Sequence, residues 1–181
     1  MRDRGSLWIL VFALAAGVAG MLAGRWWQTR QPPAPPGVTV LAPGDLRADL
    51  ALPDADGNLH RLSAWDGKLV LLNFWATWCG PCREEMPALD AAQQRFGGHG
   101  LQVVGIALDA PGAVSDYLRE VPVRYPILVG LGHVPEPSML FGDTRGALPY
   151  SVLIGRDGRI LKSKLGGFDS AELAEWIQAS L

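Results

Sequence analysis

The chain of 181 residues contains few of the side chains that bind metals or cross-link small domains, with 2 cysteines and 3 histidines. Two cysteines are too few for a disulfide-stapled scaffold, so a hydrophobic core must hold the fold together. The histidines, His60, His99 and His133, lack the close spacing that ligands on one element usually have. A small cystine-rich domain is therefore excluded, and we predict no resident metal.

Basic residues are not in excess, since 16 Lys and Arg face 18 Asp and Glu for a formal net charge of -2. No basic run and no alternation of aromatic and basic residues is present. These features argue against a nucleic-acid-binding protein. Hydrophobic residues make up 49% of the chain, which is enough to bury one core. We therefore expect one globular domain with additional segments.

The N-terminus resembles a membrane-targeting segment. Residues 1–5 contain two arginines and precede an uncharged run over residues 6–24. The run is at the short end of what spans a bilayer and overlaps the length of a signal-peptide core. The Arg-Trp-Trp sequence at 25–27 favours a retained anchor. Arginines lie on both sides of the run, so the placement of residues 1–5 in the cytoplasm rests mainly on the redox chemistry of the cysteines. Ala19 and Ala23, among other small residues, leave a cleaved signal as the alternative.

Residues 25–45 are predicted to be a linker. The sequence Gln-Pro-Pro-Ala-Pro-Pro-Gly at 31–37 favours a semi-rigid polyproline helix, which extends by about 3 Å per residue. A disordered spacer without preferred length is the alternative. The globular domain is then expected over residues 46–181.

The hydrophobic runs of this domain predict strands alternating with helices, and this order indicates a mixed sheet covered by helices. The predicted strands form a hairpin within Leu50–Leu62 and single strands at Leu69–Ala76, Leu101–Leu108, Pro126–Val129, Ser151–Ile154 and Arg159–Lys162. The predicted helices are Arg83–Phe96, Ala113–Glu120, a helical turn at Pro137–Phe141, and a last helix from the capping residue Asp169 to the C-terminus.

The two cysteines, Cys79 and Cys82, are the strongest functional signal. They follow a predicted buried strand and precede a predicted helix, which places Cys79 at a helix N-terminus. Unpaired N–H groups and the helix dipole there stabilise an anion, so we expect a lowered pKa and a reactive thiolate. A stabilising disulfide is poorly motivated because so short a loop constrains the unfolded chain little. Half a zinc site would need further ligands. We therefore predict a redox pair.

Four sequences around this pair carry a family resemblance: Asn73–Cys82, Glu84–Pro87, Gly146–Pro149 and Ile154–Ile160. Over residues 46–181 the chain resembles the thioredoxin superfamily. It is most similar to the membrane-anchored bacterial branch of TlpA-like, ResA-like and cytochrome c maturation thiol-disulfide oxidoreductases. The resemblance implies an α/β thioredoxin-like fold with an added N-terminal β-hairpin, and the activity of a protein-disulfide reductase.

The resemblance also implies roles for individual residues. Cys79 is expected to be the exposed nucleophile, and Cys82 the shielded sulfur that resolves the mixed disulfide. Pro149 is expected to be a cis proline facing this pair, an ordinary trans proline being the alternative. Leu148 is expected to offer its backbone to the partner peptide. Docking is further expected to involve three residues of the active-site turn, namely Trp78, Gly80 and Pro81.

The resemblance to this branch also concerns two polar positions near the cysteines. Glu85 follows Cys82 by three residues and is expected to influence thiol titration or to carry a proton. A solvated acid at a helix N-terminus, as expected for Glu84, is the alternative. Asn73 occupies the position where many thioredoxins have a buried Asp that accepts a proton from the resolving cysteine, and an amide cannot titrate. The alternative is a buried amide that is satisfied by backbone partners. Trp75 is expected to pack in the core.

The expected partners follow from the same resemblance. They are extracytoplasmic proteins with disulfides, such as apocytochrome c or copper-site assembly proteins, and a transmembrane thiol reductant as electron donor. No cofactor is expected. The domain is placed in the periplasm at the inner membrane, or free in the periplasm if the signal is cleaved.

The same two cysteines leave two other classes of function as alternatives. A peroxiredoxin-like peroxidase needs Pro-x-x-x-Thr-x-x-Cys, but Thr77 precedes Cys79 by only two positions. A copper chaperone could use two thiolates for Cu(I). A cis proline opposite the pair would disfavour metal capture.

Overall fold

The computed structural model describes residues 12–22, 24 and 37–181, and residues 12–22 and 24 are helical. None of the helices in these parts of the chain combines the length and the apolar character needed to cross a membrane. The expected anchor at 6–24 and linker at 25–45 lie partly outside the described residues and stay predictions. Contacts divide the chain into two units, Met1–Pro33 and Ala34–Leu181.

The larger unit is built on a five-stranded mixed sheet with the strand order β5-β4-β3-β6-β7. Strands β3, β4 and β5 are parallel to one another, while β6 runs antiparallel to both β3 and β7. A separate antiparallel hairpin precedes them. The strands are β1 (Ala51–Pro53), β2 (Leu59–Arg61), β3 (Leu69–Trp75), β4 (Leu101–Ala107), β5 (Ile127–Val129), β6 (Tyr150–Ile154) and β7 (Ile160–Leu165).

Helices cover one face of the sheet, and the hairpin with a short helix covers the other. The first face packs against α1, α2 and α4, so β3 and β4 are buried along their whole lengths, as expected for central parallel strands. The helices of the larger unit are α1 (Gly80–Phe96), α2 (Pro111–Glu120), α3 (Pro137–Leu140) and α4 (Ser170–Gln178); 3-10 turns occur at Leu62–Trp65 and Gly97–His99.

The predicted mixed sheet, the N-terminal hairpin and the flanking helices are confirmed, with differences at the element ends. Helix α1 begins at Gly80 instead of Arg83, because Pro81 is compatible with a first helical turn and Cys79 caps it. Helix α4 ends at Gln178 and does not reach the C-terminus. Asp169 caps α4 as predicted, accepting hydrogen bonds from the backbone N–H groups of Ala171 and Glu172.

The hairpin face of the sheet has an aromatic core around Phe74. We expect that removing the Phe74 ring strongly destabilises the protein. Phe74 is buried, with ring centroids 5.9 Å from Phe141 and 6.2 Å from Tyr150. Phe74→Ala should lower the free energy of unfolding by about 3–5 kcal/mol through lost burial and the cavity it leaves. Urea unfolding of the oxidised protein measures this loss. Leu161→Ala, at a side chain 42% exposed, is the control and should cost less than about 1 kcal/mol.

Candidate active site

The active-site turn lies between the end of β3 and the start of α1. Cys79 is the N-cap of α1 and has an extended backbone, and its Sγ accepts the backbone N–H of Cys82 at 3.3 Å. The N–H of Cys79 itself donates to the carbonyl of Ala76. The sulfur of Cys79 therefore occupies the place of a capping oxygen, beside the unpaired N–H groups of the helix.

Cys79 and Cys82 form a disulfide with an S–S distance of 2.04 Å. Cys82 is fully buried, which agrees with its expected shielding. Cys79 is only 5% exposed in this oxidised state, so the sequence-based expectation of an exposed sulfur overstated its access. The neighbours of the pair supply the exposed surface, since Gly80 and Pro81 are exposed and Trp78 is 71% exposed.

The Leu148–Pro149 peptide bond is cis, as the resemblance implied. Gly167 lies between this proline and the active-site turn. A Cβ added at Gly167 would lie 3.9 Å from Cγ of Pro149 and 3.7 Å from the carbonyl oxygen of Pro81. Pro149 is buried and Leu148 is half-buried. The fold therefore brings residues from the two ends of the domain to one place.

Glu85 is buried behind the disulfide, with 2% of its surface exposed. Its Oε1 accepts the side-chain N–H of Asn73 at 2.7 Å, and its Oε2 accepts the backbone N–H of Phe168 at 3.0 Å. Burial raises the pKa of this carboxyl, and these hydrogen bonds together with the charge of Lys164 offset only part of that effect. Glu85 is thus not the solvated acid of the alternative reading, whereas Glu84 is exposed.

Asn73 lies on β3 beside Glu85 and is buried. Its Nδ2 donates to Glu85 and also to Oγ of Ser151 at 3.0 Å, so its partners are side chains. The alternative of backbone partners is not what the structure shows, because the backbone of β3 is already paired with β4 and β6. Its Oδ1 is buried without a hydrogen-bond partner.

The two tryptophans of the motif occupy different environments. Trp75 is buried on the face of the sheet that carries α1, with its ring centroid 5.4 Å from that of Tyr117. This agrees with its predicted core position. Trp78 is exposed at the turn, as a docking residue requires, although its contact with a partner stays a prediction.

Sequence reasoning missed Asp109, which ties the active-site turn to the end of β4. Its Oδ2 accepts the backbone N–H of Thr77 at 3.2 Å and the Thr77 hydroxyl at 2.5 Å. Burial disfavours the charge of Asp109, but hydrogen bonds from Thr77 and Ala110 outweigh this and hold its pKa below the usual value. No sequence signal marked this pair, because 32 residues separate them. The register of β3 on β4 brings them together.

A metal site at the two cysteines would need further ligands close by. Across the parts of the chain that the structure describes, no group of three or more His, Cys, Asp or Glu side chains is arranged to hold a metal ion. The reactive groups of the site are the two sulfurs and the buried carboxyl of Glu85, three residues after Cys82 on α1.

Comparison with known proteins identifies the family of this chain. Residues 43–163 match the AhpC/TSA family. The thiol-disulfide oxidoreductase ResA of Geobacillus thermodenitrificans is 28% identical over 142 residues, covering 78% of this chain and 79% of that protein. ResA of Bacillus subtilis is 25% identical over 142 residues, covering 78% and 77%.

Solved structures agree with this assignment. The structure assigned as the thiol:disulfide interchange protein DsbE of Chlorobium tepidum is 32% identical with a TM-score of 0.65, and the match covers 77% of this chain and 98% of that one. A structure assigned as a thiol-disulfide oxidoreductase of Bacteroides vulgatus is 25% identical with a TM-score of 0.67, covering 78% and 98%. With its Cys-x-x-Cys pair at the start of α1, the chain belongs to the AhpC/TSA family of the thioredoxin superfamily and is related to thiol-disulfide oxidoreductases.

Proposed function

We propose that this protein reduces disulfides in partner proteins through the Cys79/Cys82 couple. One observation carries the proposal: the two sulfurs are bonded at the N-terminus of α1, with Cys82 fully buried and Cys79, 5% exposed, next in the chain to the exposed Trp78. A pair placed in this way can pass from dithiol to disulfide without rearranging the core. The relatives named ResA and DsbE support this class of reaction.

The reaction proceeds by two thiol-disulfide exchanges that start from the reduced protein. The Cys79 thiolate attacks one partner sulfur, a Cys79–partner bond forms, and the second partner sulfur leaves as a thiolate that takes a proton. The Cys82 thiolate then attacks Sγ of Cys79, which reforms the internal disulfide and releases the first partner thiol. Two electrons and two protons pass to the partner, and a thiol reductant restores the dithiol.

Glu85 is proposed to hold the proton of the resolving step. It follows Cys82 by three residues on α1, so both side chains lie on one face of the helix. A carboxyl whose burial raises its pKa can accept a proton from the Cys82 thiol and release it later. Phe168 and Asn73 fix both carboxyl oxygens, which keeps the group oriented.

Partner docking is proposed to use the exposed turn and the cis-proline segment together. Trp78, Gly80 and Pro81 form the exposed rim on one side. Leu148 and Pro149 form the other side, because Gly167 lies against both Pro149 and the carbonyl of Pro81. An extended partner segment between the two rims would place its disulfide at Cys79.

The place of action is proposed from the sequence. The uncharged run at 6–24, with arginines before it and Arg-Trp-Trp after it, supports an anchor in the inner membrane with the domain in the periplasm. Apocytochrome c or copper-site assembly proteins are the proposed partners, and a transmembrane thiol carrier is the proposed reductant. A signal cleaved near Ala23 would leave the same domain soluble.

The experiment that tests the function is capture of the mixed disulfide. Cys82→Ala removes the resolving sulfur, so Cys79 should stay bonded to its partner after acid quenching in the native host. Alkylation and non-reducing mass spectrometry identify the captured protein, with Cys79→Ala/Cys82→Ala as the control. We expect extracytoplasmic partners on the single variant and none on the control. If no partner is captured although Cys79 is reduced and accessible, the result contradicts the proposal and favours a copper chaperone.

A further inference from the structure

The segment from Phe141 to Pro149 is a closed turn that delivers the cis proline to the site. Oη of Tyr150 donates to the carbonyl of Phe141 at 3.0 Å and so joins the two ends of the turn. Gly142 has φ 108°, and a Cβ there would lie 2.8 Å from Oη of Tyr150, so a larger residue would break this closure. These contacts fix both ends of the turn. The residues between the ends are held by separate contacts.

Asp143 provides that support from inside the turn. It is 3% exposed, and its Oδ1 accepts the backbone N–H groups of Arg145 at 3.3 Å and Ala147 at 3.2 Å. Its own N–H donates to the carbonyl of Ser138. Asp143 thus contacts α3 through its backbone N–H and the residue that precedes Leu148 through its carboxyl group.

Burying a carboxyl group at this place costs folding free energy. This cost indicates that the group has a specific role. Its Oδ2 is buried without a hydrogen-bond partner. Burial raises the pKa of Asp143, and the charge of Glu136 adds to this, while the N–H groups of the turn oppose it. A buried polar group destabilises the fold unless its hydrogen bonds compensate for the lost contact with water. Both hydrogen bonds of its Oδ1 hold the segment that leads to Leu148.

We propose that Asp143 is a positioning residue for partner docking. It holds Ala147 so that the Leu148–Pro149 backbone faces the active-site turn. The inference rests on the proposed function, in which this backbone meets the partner polypeptide. Without the Oδ1 contacts, the turn stays closed at Phe141 and Tyr150 but loses its internal register. The reaction at Cys79 should not change, because neither sulfur is a hydrogen-bond partner of Asp143.

The test compares a polypeptide disulfide with a small one that has no backbone to dock. Insulin is the first substrate, with dithiothreitol as electron source, and 5,5′-dithiobis(2-nitrobenzoic acid) is the second. Asp143→Ala should raise KM for insulin by about 10–100-fold, the penalty of a misplaced binding group, with kcat and the rate on the small disulfide within about twofold of wild type. Asp143→Asn keeps an oxygen acceptor and should restore wild-type KM.

Asp157→Ala is the matched control. Asp157 accepts the backbone N–H of Arg159 in the β6–β7 turn, so the same substitution removes a similar hydrogen bond away from the site. A wild-type KM for Asp143→Ala, or equal losses in Asp143→Ala and Asp143→Asn, overturns the proposal. So does a similar rise in KM for Asp157→Ala.

A measurement on the unaltered protein covers the case in which Asp143→Ala fails to fold. Amide hydrogen exchange at Ala147 should be slow in the wild type and in Asp143→Asn, since an oxygen acceptor holds that N–H in both. Fast exchange at Ala147 in the wild type overturns the proposal. Failure of the proposed function has another signature, because the wild type would then leave insulin unreduced while its thiols still react with the small disulfide.

Discussion

Cys79→Ser should lower disulfide reduction by at least about 1,000-fold, to the uncatalysed background, because a hydroxyl at this cap position is not an effective nucleophile at neutral pH. Steady-state reduction of insulin with dithiothreitol as electron source measures the loss. The substitution should leave folding intact, since serine is also a good N-cap and can accept the Cys82 N–H that Sγ accepts now.

Cys82→Ser provides the contrast that identifies the attacking sulfur. This variant retains Cys79 and should complete one attack on a partner disulfide, then accumulate as a mixed disulfide without multiple turnover. A rapid first phase in stopped-flow with 5,5′-dithiobis(2-nitrobenzoic acid) should therefore persist in Cys82→Ser and vanish in Cys79→Ser. The opposite pattern would assign the attack to Cys82, whose full burial makes that outcome the less expected one.

Glu85→Gln should slow the resolving step by on the order of 100-fold at neutral pH, the lower end of what general acid–base catalysis contributes. Glutamine keeps the size of the side chain and can accept the Phe168 N–H, but it cannot take a proton from Cys82. In the wild type, the resolution rate should rise as pH increases through the raised pKa of Glu85, and this rise should be absent in Glu85→Gln. Rapid-quench kinetics across pH measure both profiles.

Glu84→Gln is the matched control, since Glu84 is the neighbouring acid on the same helix and is exposed. Its profile should coincide with that of the wild type. Identical profiles for the wild type and Glu85→Gln would show that Glu85 does not carry the proton.

The same carboxyl should also make stability depend on pH. Burial raises the pKa of Glu85 above its ordinary value of 4.5, so the folded protein holds the proton more tightly than the unfolded chain does. Between pH 4.5 and the raised pKa the folded state binds more protons, and the free energy of unfolding falls as pH rises through this window. Urea titrations of the oxidised protein should show this contribution in the wild type and its absence in Glu85→Gln.

Most of the fold could be predicted because its elements are encoded locally. The uninterrupted apolar runs at Leu69–Trp75 and Leu101–Ala107 identify buried strands. The Gly155–Gly158 turn signal identifies the β6–β7 hairpin, and Asp169 identifies the start of α4. These signals need only neighbours in the chain, so they survive without knowledge of the tertiary structure. The reactive pair could be predicted for the same reason, since strand, turn and helix are consecutive.

The surroundings of the pair could not be predicted, because they come from distant parts of the chain. Glu85 accepts a hydrogen bond from Phe168, 83 residues away, and that contact exists only because the segment after β7 returns over α1. The burial of Glu85 could not be read from an acid in the first turns of a helix, a position that is usually solvated. Asn73 reaches Ser151 across 78 residues through the antiparallel pairing of β3 with β6.

The sequence by itself determined the redox pair, its place at a helix start and the order of strands and helices, because hydrophobic periodicity, capping and turn chemistry act over a few residues. Only the tertiary structure decided which of the acids are buried and what they hold. Glu85 and Asp143 are both inside the fold, one beside the disulfide and the other under the cis-proline turn. Burial is a property of packing between distant segments, and it changes an ordinary surface acid into a group with a raised pKa.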